Sequence, residues 1–138
     1  MYKRQLHGIA IRDQAPMPES RMKSCLVGIS IPDWLDLLNS KIFFFLSEDK
    51  ARAFAARYAD YRNTLFQVDT AALLETHAPE VTLCRIHSGA FIHKPVPRGR
   101  DSFIPLSEFQ YKNKRNTPAE FTVRSPIPNF LEISTILP

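Results

Sequence analysis

Residues 83–90 place an arginine, an imidazole and a hydroxyl within four positions of one another: Arg85, His87 and Ser88, followed by Gly89. On an extended strand, side chains alternate with period two, so Arg85 and His87 share a face. A guanidinium beside an imidazole makes a cradle for a phosphate or carboxylate, and Gly89 permits a tight approach. Downstream, Pro97–Ser102 adds Arg98, Arg100 and the Ser102 hydroxyl. If that loop folds back, four donors converge on one anion. The alternative is a solvated surface on which Arg98 and Asp101 form only a turn ion pair. A second element is Phe43–Ser47, where an aromatic strand runs into Ser47 and a helix start. Free N–H groups at a helix N-terminus, with the Phe45 ring beside them, suit a base or nicotinamide. Its alternative is three core phenylalanines followed by an ordinary cap.

The remaining chemistry is narrowed by absences. The chain contains no GxGxxG, Walker, HExxH, CxxC or GxSxG pattern. His7, His77, His87 and His93 lack helical ligand spacing with carboxylates, so no metal is expected. Cys25 and Cys84 also lack ligand spacing and read as buried thiols in a reducing compartment, which points to the cytoplasm. No apolar window reaches the ~18 residues that a membrane span requires. The Met1–His7 stretch is basic with no apolar run behind it, unlike a secretory signal. Net charge is +4, and between Lys94 and Arg124 seven Lys/Arg stand against three acids. That surplus gives the last third a basic surface able to attract anionic partners. Phe109 and Tyr111 beside Lys112, Lys114 and Arg115 permit stacking on a single-stranded nucleic acid.

The elements that position these residues follow from local pattern. Residues 1–29 read as an irregular arm because Pro16 and Pro18 break helix, with a short helix from about Ser20. Residues 30–138 read as the core of a single domain. Ser30 with Pro32 and Asp33 signals a helix start, Trp34, Leu37 and Leu38 form its stripe, and Asn39 ends it. Lys41–Leu46 is an apolar strand expected to be covered on both faces. Ser47 then caps a helix whose buried stripe is Phe54, Ala55 and Tyr58. Thr64–Val68 reads as a strand, Asp69 or Thr70 as the cap of a helix over Ala71–Glu75, and Val81–Ile86 as a further strand. Ala90–His93 is a fourth strand candidate, and Lys94–Pro105 a long loop. Lys112–Asn116 is a polar turn, and Glu120–Arg124 alternates as a half-buried strand should. The apolar stretch 130–137 is an edge strand able to pair with another chain. The pattern is α+β and mainly antiparallel, with short helices.

Taken together, Gly8–Gln14 with Pro16 and Met17, Trp34 with Leu37–Asn39, Phe43–Glu48, Val68–Thr70, His87–Gly89 and Pro97–Pro105 resemble an uncharacterised bacterial domain family. The resemblance spans about Gly8 to Phe109. That family is distantly similar to the ADP-ribosyltransferase fold, which implies a split antiparallel sheet with NAD in its cleft. On an NAD-binding reading Phe45 and Ser47 line the nicotinamide pocket and Arg85, His87 and Arg98 hold the diphosphate, with Ser88 and Arg100 as further cofactor-binding residues. Two departures accompany the resemblance. The chain begins after a Tyr-His-type strand that the resemblance implies upstream, and His87 stands where the family has asparagine. No catalytic residue is assigned, Glu108 and Glu120 being acids at suitable positions only.

Overall fold

The computed structural model describes residues 4–6, 9–11, 17–60, 62–91, 95–113, 117–124 and 126–138. Two short antiparallel strands, β1 (Arg4–Leu6) and β2 (Ile9–Ile11), pair with each other. Helix α1 covers Glu19–Cys25, the short helix expected from about Ser20, and it contributes Met22 and Cys25 to the core. Helix α2 spans Ile31–Asn39 as its sequence predicts. The Ser30 hydroxyl accepts from the Asp33 amide at 3.2 Å, and proline sits in the first turn.

Four strands form the central sheet, in the order β3 (Lys41–Phe44), β7 (Glu120–Arg124), β5 (Val81–Cys84), β6 (Phe103–Pro105), all antiparallel. Directly opposed residues project to the same face of an antiparallel ladder. The row Phe43–Thr122–Thr82–Pro105 therefore faces one side, and Phe44–Phe121–Leu83–Ile104 the other. On the first face, Cys84 and Phe103 join Met22, Cys25, Trp34 and Leu38 of α1 and α2 in one hydrophobic cluster. On the second, Val81 and Val123 pack with Leu73, Ile127, Phe130 and Ile133. Leu73 belongs to α4 (Thr70–His77), whose start is fixed by Asp69 Oδ1 accepting from Ala71 N at 2.9 Å and Ala72 N at 3.1 Å. A separate ladder pairs β4 (Phe66–Val68) with β8 (Ser134–Ile136), so the C-terminal strand finds its partner within the chain.

Three expectations change. Lys41–Leu46 is not covered on both faces: β3 is an edge strand, with Phe43 41% and Phe45 49% exposed. Helix α3 (Glu48–Ala56) buries no residue, and Phe54 is 38% exposed. Its apolar side does not fold onto the sheet; Phe45, Phe54 and Tyr58 instead stack on one another, at 5.1 and 4.9 Å between ring centres. The strands covered on both faces are the inner two, where Thr122 and Val123 of β7 and Val81 and Cys84 of β5 are fully buried because helices pack above and below them. Of the expected strand at 90–93, Ala90 and Phe91 are not in a strand, and its remainder lies outside the described residues, as do His7, Lys94, Lys114 and Arg115.

Candidate functional site

The four central strands bring the chemistry-bearing residues to one end of the sheet. The last paired row there is Glu120–Cys84–Phe103. From it the chain leaves β5 into Arg85–Ser88, enters β7 at Glu120 and enters β6 from Arg98–Ser102, while β3 ends one row earlier and leads into Phe45 and Ser47. Strands lie about 4.8 Å apart, so the ends of β3 and β5, with β7 between them, are about 10 Å apart.

Within this end the contacts divide the residues into two kinds. Arg98 is 3% exposed and spends its guanidinium on the chain itself. Its Nη1 donates to the carbonyls of His87 at 3.1 Å and Ser88 at 2.8 Å, and Nε to the carbonyl of Val96 at 3.1 Å. The guanidinium also lies 4.3 Å from the Phe91 ring centre. The backbone of Arg98 donates to Cys25 O and accepts from Val27 N, tying the loop to the exit of α1. Gly99 fits here because a Cβ would lie 2.5 Å from Val27 O. Ser88 is buried, and its amide donates to Glu120 Oε1 at 3.0 Å. The long loop of the sequence reading is thus a tightly held turn around Arg98, continuing into a short 3-10 turn at Arg100–Ser102 and into β6.

The other residues face outward. Arg85 is exposed, with its guanidinium 4.7 Å from the Phe109 ring centre and Nη2 donating to Gln110 O at 3.4 Å. His87 is exposed, with Nδ1 3.8 Å from Glu120 Oε1. Arg100 and Phe45 are exposed, and the Ser47 hydroxyl accepts from Lys50 N at 3.4 Å as the cap of α3. Of the residues singled out in the sequence, His87, Ser88 and Arg98 meet one another around Glu120. Arg85 is turned toward residues 109–110, and Phe45 with Ser47 stands across β7.

Glu120 is what position in the sequence left undistinguished from Glu108. Its side chain is only 15% exposed, and Oε2 is buried without a hydrogen-bond partner among the described residues. Burial raises its carboxyl above the ordinary carboxylate range; the Ser88 hydrogen bonds and the charges of His87 and Arg98 pull the other way. Cys84, beside it in the ladder, has its thiol pushed up to about 11, chiefly by burial, so it is not a nucleophile at neutral pH. On the same face Lys41 reaches inward. Its Nζ donates to Thr82 Oγ1 at 3.0 Å and sits 4.6 Å from the Phe103 ring centre, and burial lowers its pKa. No motif marks Lys41 in the sequence; the strand register alone sets it on the face that carries Thr82.

Among the described residues no helix is long and apolar enough to cross a membrane. The chain belongs to a family of unknown function (DUF7002), whose model matches residues 1–134. No curated protein and no solved structure matches it.

Proposed function

We propose that this member of a family of unknown function is a cytoplasmic nucleotide-binding domain, with NAD the ligand implied by its resemblance to ADP-ribosyltransferases. The observation that carries the reading is that Arg85, His87, Arg100 and the Phe45 ring are all exposed at one end of the central sheet. Arg85, His87 and Arg100 supply charge and donors for a diphosphate. Phe45, half-exposed beside Phe54, offers aromatic surface about two strand spacings away, and Ser47 lies two residues on. Arg98 and Ser88 act from behind, holding the turn that presents His87. ADP-ribosyl transfer would break the bond from the ribose carbon to nicotinamide and join that carbon to an acceptor nucleophile. Nicotinamide leaves neutral and the acceptor's proton passes to solvent. Positive charge develops on the sugar, and a carboxylate beside it lowers the barrier. Glu120 is the carboxylate placed at this end.

The test is an NMR titration of labelled protein with NAD, following the amides of Phe45, Ser47, Arg85 and His87. Shifts confined to those positions, with affinity reduced at least tenfold in Arg85→Ala, are expected. An absence of shifts at millimolar NAD removes the nucleotide reading. A second reading, single-stranded nucleic acid along the basic last third, rests on Tyr111, which is exposed beside exposed Lys112. It requires affinity that falls steeply with salt as counterions are released.

A further inference from the structure

His77 closes α4 with its side chain 10% exposed, and both ring nitrogens are engaged. Nδ1 lies 2.9 Å from Glu80 Oε2 and Nε2 lies 2.9 Å from Asn129 Oδ1. Each of those oxygens is an acceptor. A neutral imidazole has one N–H and can serve one of them; an imidazolium has two and serves both. Asn129 lies in the C-terminal segment, in the turn that leads to β8. We propose that His77 is a proton-dependent latch that fastens the C-terminal segment to the end of α4.

The segment it would hold has wide reach. Ile127, Phe130 and Ile133 cover one face of the central sheet, and β8 is the only partner of β4 among the described residues. Asp69 N donates to Ile133 O, Leu137 N to Leu65 O, and Arg52 Nη1 to Pro138 O. Loosening the turn at Asn129 therefore reaches the start of α4, β4 and α3 together. The charged residues on the surrounding elements are Glu80 on the histidine's own turn, Glu108 on the 3-10 turn Leu106–Glu108 packed against it, and Glu132 beyond Asn129. Among the described residues Glu80 is the charged group that acts on the ring's titration; the larger influence is the neutral Asn129. Both raise the ring's pKa from the ordinary 6.5, and burial opposes them. A raised pKa in the folded state gives stability that is complete below the unfolded value and is lost as pH rises through the folded one.

One arrangement would make the latch indifferent to protons: Asn129 could turn its amide and offer Nδ2 to a neutral ring. The experiment separates the two. The His77 ring is titrated by NMR, and amide protection factors, corrected for intrinsic exchange, are followed over the same pH range. Protection at residues 130–136 is expected to be lost as pH rises through the His77 midpoint, while protection in β5 and β7 persists. Protection that stays level across the midpoint overturns the proposal. Asn129→Asp places a carboxylate against Nε2 and cannot offer an amide donor to a neutral ring, so the added negative charge should raise the His77 midpoint further; a midpoint that does not move also overturns it.

Discussion

Arg98 illustrates how a residue's type and its role can part. Its guanidinium suits an anion, yet three backbone carbonyls and the face of Phe91 occupy it. A lysine keeps the charge but lacks the planar fork that spans two carbonyls. Arg98→Lys is therefore expected to cost about 2–3 kcal/mol in denaturant unfolding, the worth of hydrogen bonds from a charged donor in a buried setting. The loss should come without an NAD-binding defect beyond that of a loosened turn. Glu120 gives a pH-dependent counterpart. Its folded pKa is raised, so between the unfolded value near 4.5 and the folded one the native state binds the extra proton, and stability falls as pH rises. Glu120→Gln keeps an acceptor for the Ser88 amide and should abolish this dependence, remaining at least as stable as the parent at pH 7. Cys84 should resist alkylation at pH 8 in the folded protein and react on unfolding, as mass spectrometry of the modified chain would show. The sequence expected Arg85 and His87 to share a strand face, but β5 ends at Cys84, so Arg85 turns to Phe109 and Gln110 while His87 and Ser88 lie beside Glu120. Nor could the sequence expose the bonds of Arg98 to residues 87 and 88, which depend on how a later loop folds back.

Among the elements, caps were legible and burial was not. Ser30, Ser47 and Asp69 cap helices where their side chains announce it, since capping involves only the next two or three residues. Strand environment depends instead on neighbours far along the chain. The run Lys41–Leu46 looks more apolar than Glu120–Arg124, yet the former is at the edge and the latter central, because pairing with β5 was won by β7. Helix α3 shows the consequence. Held by ring stacking, the Glu48–Arg52 pair and the Arg52 bond to Pro138, it lacks a buried stripe. Its amides are expected to exchange with solvent well before those of β5 and β7, which hydrogen-exchange mass spectrometry can resolve.

For the whole molecule, two hydrophobic clusters lie on opposite faces of one sheet and share its strands. Trp34, the single tryptophan, is fully buried in the first, and Val123 in the second. Because β5 and β7 contribute to both faces, the clusters should unfold together. Trp34 fluorescence and far-ultraviolet circular dichroism are expected to report one coincident transition. Val123→Ala should lower both by roughly 2 kcal/mol, the transfer cost of two methyl groups plus a small cavity. Separate transitions would show that each face folds alone. The α+β, antiparallel character was readable from the mixture of patterns, whereas the strand order that gathers the site residues at one end was not.

The two described glycines near the exit of α1 bear on how this chain can diverge. Gly28 has a φ of +66° and open space around its Cβ position, so asparagine or aspartate can replace it over generations with little loss. Gly99 has extended backbone, but any side chain there would collide with the carbonyl of Val27. A drifting lineage can therefore exchange the first freely and must keep the second, or else give up the crossing of two chain segments on which the presentation of His87 depends.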